Sequence, residues 1–163
     1  RGYGYGVAEG LKALRGDVVG YMWGDNQFDP EIVGELVRLL ETNPELNLVK
    51  TYRAKRFDGR QRLVVSRLYQ WLFRLLYGFY TIDINSGPKL FRAGFLQGLM
   101  PFRSTDWFID AEIMIKASRR MTPGEMKELP IIFYPRKFGR SNVRVSDCWH
   151  FFRKLVKYKF VKL

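Results

Sequence analysis

The sequence of 163 residues contains one cysteine, Cys148, and one histidine, His150. A single cysteine excludes a disulfide within the chain and any cysteine-rich metal site, and it fits a reducing compartment. A single histidine that is distant in sequence from the acidic turns argues against a serine–histidine–aspartate catalytic set. Because His150 falls in a segment with a helical pattern, we expect it to be an interfacial or packing residue rather than a catalytic one.

Long hydrophobic runs are also absent. No segment approaches the roughly 18 consecutive apolar residues that span a bilayer, and no signal peptide follows Arg1. As given, the chain is not expected to cross a membrane. Since it starts with arginine inside a glycine-rich segment, we expect it to be a piece of a longer protein. Internal repeats, low-complexity segments and a Walker-type phosphate loop are absent too.

Acidic residues are few relative to basic ones. The chain has 28 lysines and arginines against 16 aspartates and glutamates, a net charge of +12, and 47% of its residues are apolar. The length and composition indicate one globular domain with a sizeable core. The excess of positive charge implies an anionic partner, which could be a phosphate ester, a nucleic acid or an acidic membrane surface.

The stretch from residue 16 to residue 30 predicts an apolar strand that ends abruptly in polar residues and is followed at once by a helix. Asp29 is a favourable N-cap, and Pro30 suits the first helical position. Asp25 and Gln27 would then lie in the turn at the carboxyl end of a strand, where open α/β sheets bind ligands. Their oxygens suit a divalent cation and the phosphates that it carries. The alternative is an ordinary polar turn between a strand and a helix.

Hydrophobic periodicity predicts further helices and strands in alternation. Helices are predicted over residues 7–14, 30–42, 62–79, 95–100, 107–121 and 146–163. Strands are predicted over residues 46–52, from residue 89 onward, and over residues 127–134. The glycines between Gly2 and Gly10 could cradle phosphate at a helix entry or allow close helix packing. Asp110 and Glu112 fall in the first turns of their helix, where the helix dipole favours carboxylates.

Basic residues gather after the predicted strands and on the last helix. Arg53 follows one strand, and the short basic loop over residues 135–142 follows another. Arg136 in that loop could clamp phosphate, since its guanidinium matches phosphate oxygens, although solvated basic loops are the alternative. The helices over residues 62–79 and 146–163 are amphipathic. The latter has the composition of a helix in a membrane interface, but packing against the domain explains it equally well.

Taken in order, these segments resemble the family-2 inverting glycosyltransferases of GT-A fold, most closely the dolichol-phosphate mannosyltransferase and polyprenyl-phosphate glycosyltransferase branch. The resemblance covers nearly the whole chain. The positions that match family motifs are residues 2–10 and 16–30, Arg53, Arg62, Ser66, Asp83, Ser86, Gly87, Phe91, Arg92, Phe108, Asp110, Glu112, Arg136, Gly139 and Ser141. Trp23 stands where the family has the first aspartate of its metal turn, and Asn142 stands where it usually has lysine.

The resemblance implies an α/β fold of the GT-A, Rossmann-like type: an open sheet with helices on both faces. The family's first strands and their nucleotide-binding turns have no match, so the chain is expected to lack the N-terminal part and to bind a nucleotide-sugar poorly alone. Residues 1–145 are predicted to form this partial domain. Residues 146–163 are predicted to form a basic amphipathic helix at the cytoplasmic membrane face.

The resemblance also implies a reaction: transfer of a sugar, with inversion, from a nucleoside-diphosphate sugar to a polyprenyl phosphate, a dolichyl phosphate or another membrane-associated acceptor. Asp25 and Gln27 would hold Mg²⁺ or Mn²⁺, less firmly because Trp23 replaces an aspartate. The other predicted roles are donor-phosphate binding by Arg136 and Arg140, acceptor-phosphate binding by Arg53, Arg62 and Ser66, and catalysis by Asp25, Asp83 and Asp110.

Two alternatives stay open. The first is a relative that retains the fold and the membrane contact but has lost the chemistry, which Trp23 favours. The second is a nucleic-acid-binding module, which the charge of +12 and the aromatic content of 16% suggest. The sequence contains no recognisable nucleic-acid-binding motif, so no nucleic-acid partner is expected.

Overall fold

The computed structural model describes residues 2–57, 60–136 and 145–161. Its strands are β1 (Val18–Tyr21), β2 (Leu48–Arg56), β3 (Lys89–Arg92) and β4 (Met126–Phe133). Its α-helices are α1 (Tyr3–Ala13), α2 (Ile32–Thr42), α3 (Arg60–Tyr77), α4 (Ala93–Leu99), α5 (Ile109–Ser118) and α6 (Val145–Phe160). A 3₁₀ turn over Pro123–Glu125 precedes β4. The predicted α/β class is confirmed.

The four described strands form one mixed sheet in the order β1-β3-β2-β4. Strand β3 is antiparallel to both β1 and β2, whereas β2 and β4 are parallel. Strands β1, β2 and β4 therefore run in one direction, and their carboxyl ends lie at a single edge of the sheet. Strand β3 begins at this same edge, because it runs the opposite way. Loops that follow three strands and precede the fourth thus converge there.

Helices cover both faces of the sheet, as predicted. The alternation of side chains along a strand divides the core into two parts. Leu48 and Phe91 point into the larger part, whereas their neighbours Val49 and Leu90 point toward α2. The smaller part is completed by α2 and the turn that follows it, through Leu36, Leu40 and Leu46. The larger part contains buried side chains of α1, α3, α4, α5 and α6.

Most element boundaries differ from the predicted ones by a few residues, and three of these differences concern predicted site residues. Helix α1 begins at Tyr3, so most of the glycine-rich segment lies inside the helix. A Cβ atom on Gly4 would lie 2.3 Å from the carbonyl oxygen of Asp106, and this glycine thus permits close packing rather than phosphate binding. Helix α2 begins at Ile32, and the Asp29 carboxylate accepts the N–H of Glu31 in the turn before it. Strand β2 continues to Arg56.

Helix α6 packs against α3 and α5. Leu155 is fully buried, the Tyr77 hydroxyl donates to its carbonyl at 2.8 Å, and Phe152 meets Tyr69 edge to face. The alternative in which this helix packs against the domain is therefore observed, yet Trp149 and Phe160 on the same helix are exposed, and its predicted membrane contact stays a prediction. The division of the chain at residue 145 stays a prediction. Within the ranges described above, no helix has both the length and the apolar content needed to cross a bilayer.

Candidate functional site

A cleft of about 750 Å³ opens at the sheet edge where β1, β2 and β4 end. The turn after β1, the loop before β3 and helices α3 and α6 complete its walls. Most of the side chains that were predicted to carry function line this one cleft: Asp25, Gln27, Arg53, Arg62, Ser66, Asp83, Asp110 and Arg136. Arg140, and the motif positions at residues 139, 141 and 142, lie outside the described residues. His150 is exposed beside Asp106 and does not line the cleft.

Asp25, Gln27 and Arg136 form one cluster at the β1 and β4 side of the cleft. Arg136 donates from Nε to Gln27 Oε1 at 2.8 Å and from Nη2 to Asp25 Oδ2 at 3.1 Å. Gln27 is buried, and its Nε2 donates to the Tyr134 carbonyl at 2.7 Å, which fixes the orientation of its amide. Asn26 between them has a φ of 55°, in the left-handed region that asparagine tolerates better than most residues.

One oxygen of this cluster has no hydrogen-bond donor in the described part of the chain. Oδ1 of Asp25 is shielded from solvent and receives no hydrogen bond from any described residue. An unsatisfied buried carboxylate oxygen is a suitable ligand for a divalent cation. Among the described residues, however, no group of three or more aspartate, glutamate, histidine or cysteine side chains could hold a metal. The cluster therefore fits a divalent ion only if most of its ligands come from phosphate oxygens and water.

Arg53 and Asp83 form a two-pronged ion pair across the cleft floor. Nε of Arg53 donates to Asp83 Oδ2 at 2.6 Å, and Nη2 donates to Oδ1 at 2.8 Å. The guanidinium also lies 5.8 Å from the ring centre of Trp23 and 5.3 Å from that of Phe133. Burial acts to raise the pKa of Asp83, but the charge and hydrogen bonds of Arg53, with the charge of Lys50, hold this pKa well below its usual range.

Asp110 is buried beneath the cleft and is surrounded by donors. Lys89 and Tyr21 donate to its Oδ1, Tyr21 at 2.7 Å, and Tyr3 donates to Oδ2 at 3.2 Å. Trp23 Nε1 in turn donates to the Tyr3 hydroxyl at 2.9 Å. Burial, and then the charge of Asp110, raises the pKa of both tyrosines well above their usual range, so these hydroxyls remain donors. Asp110 thus has the contacts of a residue that positions others.

A second charged group beneath the cleft was not predicted. Lys50 is fully buried and donates to Glu128 Oε1 at 2.7 Å and to the Asp83 carbonyl at 2.6 Å. Glu128 also accepts from Thr81 Oγ1 and from the backbone N–H of Ile82. This ion pair holds the loop that carries Asp83. Its sequence signal was a lysine that follows the apolar start of β2 and a glutamate in the otherwise largely apolar β4.

The α3 side of the cleft combines polar and apolar groups. Ser66 Oγ is 3.2 Å from Arg56 Nη1 and 3.2 Å from Gln70 Nε2, both of which donate to it. Arg56 and Gln70 were not predicted, although Arg56 ends the strand that carries Arg53. Next to them, the wall is apolar, and it is formed by Val65, Tyr69, Phe151 and Phe152. The cleft therefore joins an anion-binding rim to an apolar wall.

Comparison with known proteins identifies the fold. No family model and no curated protein matches the sequence. Among solved structures, the chain is similar to glucosyl-3-phosphoglycerate synthase from Mycobacterium tuberculosis in complex with UDP, with a TM-score of 0.75, 19% identity, and coverage of 100% of this chain and 57% of that chain. It is also similar to the complex of that synthase with Mn²⁺, UDP-glucose and glycerol 3-phosphate. That TM-score is 0.68, the identity is 21%, and the match covers 96% of this chain and 53% of that chain.

These similarities establish the predicted GT-A, Rossmann-like fold. The chain spans little more than half the length of the solved structures that it matches. The finer resemblance to the dolichol-phosphate and polyprenyl-phosphate branch receives no support from them, because a further complex of the same synthase contains phosphoglyceric acid. The roles predicted for individual cleft residues stay predictions.

Proposed function

We propose that this chain forms the catalytic cleft of a glycosyltransferase that moves a sugar from a nucleoside-diphosphate sugar to a phosphate-bearing acceptor. The observation that carries the proposal is the meeting, in one cleft of a GT-A fold, of the Asp25, Gln27 and Arg136 cluster with the arginines and serine near α3. The solved structures that share the fold belong to a synthase crystallised with UDP-glucose and Mn²⁺, which supports the same donor class and a divalent ion.

The donor cluster meets the main electrostatic demand of the reaction. Negative charge develops on the departing diphosphate, and fixed positive groups that face it lower the barrier. Arg136 supplies a guanidinium held in place by Gln27, and Asp25 supplies one unsatisfied carboxylate oxygen. A divalent ion, when bound there with the diphosphate, would neutralise part of that charge. Asp25 and Gln27 are the residues that would hold it.

The contacts of Asp83 and Asp110 favour an acceptor that needs no strong general base. Asp83 is paired with Arg53, and its lowered pKa makes it a weak base. Asp110 accepts from Lys89, Tyr21 and Tyr3. A phosphate acceptor is already ionised near neutral pH and requires only cationic groups that hold it in line. Arg56, Arg62 and Ser66 on the α3 side of the cleft are suited to that task.

The apolar wall beside these residues favours a lipid-linked phosphate over a small polar one. Val65, Tyr69, Phe151 and Phe152 would bury the first units of a hydrocarbon chain attached to the phosphate. A phosphoglycerate has no apolar part to fill this space. We therefore assign the acceptor to the polyprenyl phosphate class, and we expect a phosphoglycerate to be a poor acceptor.

The outer face of α3 supports a location at the membrane surface. Val64, Leu68, Trp71 and Leu75 are spaced along one side of the helix, and each is more than half exposed. The helix carries several arginines and no acidic residue. An exposed apolar stripe with basic flanks is typical of helices that lie in an anionic lipid interface. The acceptor-binding wall would then open toward the bilayer in which the acceptor resides.

The test is transfer of radiolabelled sugar by the full-length protein, from a panel of nucleotide-sugars, to polyprenyl phosphate or to 3-phosphoglycerate. We expect transfer to polyprenyl phosphate and a loss of about 100-fold in Asp25→Asn, because one charge-stabilising group is removed. Asp17→Asn, at an exposed aspartate before β1, is the matched control and should retain full rate. Preference for 3-phosphoglycerate would overturn the acceptor assignment, and full activity of Asp25→Asn would overturn the donor-site assignment.

The membrane contact has a separate test. In flotation with vesicles of phosphatidylcholine and phosphatidylglycerol, the double variant Leu68→Ser and Trp71→Ser should bind at least about tenfold more weakly, because two apolar side chains are lost from the interface. Leu14→Ser, at a partly exposed leucine after α1, is the control. Equal binding of the double variant and the wild type would remove α3 from the interface.

A second candidate is a non-catalytic relative with the same fold. Trp23 favours it, because its indole donates to Tyr3, contacts Phe133 edge to face, and occupies the turn where the resembled family has a metal-binding aspartate. Binding of nucleotide-sugar or polyprenyl phosphate without any transfer in the same assay would favour this candidate.

A further inference from the structure

We propose that, without a ligand, the guanidinium of Arg136 occupies the oxygens of Asp25 and Gln27 that a divalent ion would need. The ion then binds there only together with a diphosphate, whose oxygens accept the guanidinium N–H groups in their place. The proposal rests on the proposed function, since it assumes that the cluster receives a metal–diphosphate donor. It goes beyond that function in one respect. Metal and diphosphate bind with strong positive cooperativity, and Arg136 determines how strongly each ligand increases the affinity for the other.

The first argument is geometric. Both side chains that would ligate the ion already accept a hydrogen bond from Arg136: Gln27 through Oε1 at 2.8 Å and Asp25 through Oδ2 at 3.1 Å. Gln27 cannot turn its oxygen elsewhere without breaking the bond from its Nε2 to the Tyr134 carbonyl. Of the carboxylate and amide oxygens in the cluster, only Asp25 Oδ1 accepts no hydrogen bond from the described residues.

The second argument is electrostatic. A divalent ion bound to Asp25 Oδ1 would lie close to the guanidinium that Oδ2 of the same carboxylate holds, and the two cations would repel each other. The described part of the chain offers no group of three acidic, histidine or cysteine side chains that could offset this repulsion. The ion alone would also keep most of its water. Binding of bare metal is therefore expected to be weak.

A diphosphate removes both obstacles. Its oxygens can accept the guanidinium N–H groups, for which Arg is the best-matched side chain, and can coordinate the ion at the same time. The Gln27 and Asp25 oxygens that Arg136 releases then become available to the ion. Because binding is reciprocal, the metal must strengthen diphosphate binding by the same factor.

Equilibrium dialysis of the full-length protein against Mn²⁺, with and without UDP, tests the proposal through metal retained on the protein side. For the wild type, we expect UDP to strengthen Mn²⁺ binding by about 10-fold to 100-fold, within the range of ordinary coupling between sites. In Arg136→Gln, binding of Mn²⁺ alone should increase several-fold, and the UDP effect should fall below about threefold, because the competing charge and the phosphate ligand are both lost.

Two variants complete the experiment. Arg38→Gln removes an exposed arginine of α2 and should behave as the wild type, whereas Asp25→Asn should abolish retention under every condition. Equal Mn²⁺ binding with and without UDP in the wild type, or an Arg136→Gln variant that binds Mn²⁺ alone no better than wild type, would overturn the proposal. Coupled binding of Mn²⁺ and UDP without sugar transfer by the full-length protein would overturn the proposed function and leave this inference standing.

Discussion

Two groups of charged side chains lie at the same edge of the sheet, and they differ in how completely their hydrogen bonds are satisfied. Beneath the cleft, Asp110 accepts from Lys89 and two tyrosines, and Glu128 accepts from Lys50 and the loop over residues 81–82. At the rim, Asp25 has one oxygen with no donor among the described residues.

The difference separates support from binding. A buried charged side chain whose hydrogen bonds are satisfied within the protein has no acceptor available for a ligand. Its removal leaves the charge of its partner uncompensated. A partly exposed charged side chain with an unsatisfied acceptor oxygen contributes little to the free energy of folding, and that oxygen can bind a ligand. We therefore expect substitutions beneath the cleft to affect mainly stability, and substitutions at the rim to affect mainly binding and transfer.

Asp110→Ala is expected to have the largest effect on stability. It leaves the Lys89 ammonium buried without its counter-charge, and loss of one partner of a buried pair lowers the free energy of unfolding by about 3–5 kcal/mol. Urea denaturation followed by circular dichroism measures the change. Asp25→Ala at the rim is the matched comparison and should lower stability by about 1 kcal/mol or less. Similar losses of unfolding free energy in the two variants would contradict the distinction between the charges beneath the cleft and those at its rim.

The Arg53 and Asp83 pair gives the next effect, which depends on pH. The folded-state pKa of Asp83 lies below its ordinary value of 3.8. The stability that the pair contributes is therefore complete above that value and is lost as the pH falls toward the lower folded-state pKa. The free energy of unfolding should fall less steeply below pH 4 in Asp83→Asn than in the wild type. Parallel curves for the two proteins would show that Asp83 is not held ionised by Arg53.

Tyr3→Phe separates the contribution of a hydrogen bond to Asp110 from that of the Lys89 and Asp110 ion pair. It removes a hydrogen bond to Asp110 and leaves Trp23 Nε1 without its acceptor. The expected loss is about 1–2 kcal/mol, which is smaller than that of Asp110→Ala because the ion pair with Lys89 remains. Urea denaturation again provides the measurement. Tyr80→Phe, at an exposed tyrosine, serves as the control and should change stability by less than about 0.5 kcal/mol.

Ser66→Ala is expected to have the smallest effect on folding. The hydroxyl lies at the rim, and its removal should change the free energy of unfolding by about 0.5 kcal/mol or less. Sugar transfer should nevertheless fall by about tenfold, since Arg56 and Gln70 lose the group that orders them beside the acceptor phosphate. Unchanged transfer would remove Ser66 from the acceptor site and would limit that site to the arginines.

The sequence alone was sufficient for the α/β class, for most helices, and for the rim of the cleft. Its signals there are local: an apolar strand followed by Asp25 and Gln27, a basic run at the end of β2, and Arg136 after β4. Each of these lies at or just after the carboxyl end of a strand, and parallel strands bring their carboxyl ends to one edge. Arg53, however, was predicted in a loop and lies inside β2, because pairing with β4 extends the strand to Arg56.

Only the tertiary structure revealed the partners of the buried charges beneath the cleft. Tyr3 and Asp110 are 107 positions apart in sequence, and Lys50 and Glu128 are 78 positions apart. No local pattern encodes such pairs, because Lys50 meets Glu128 through the parallel pairing of β2 with β4, and Tyr3 reaches Asp110 through the close approach of α1 that Gly4 allows. Residues that bind at the rim follow from strand ends and turns, whereas the buried charges that position them become neighbours only when the sheet order is known.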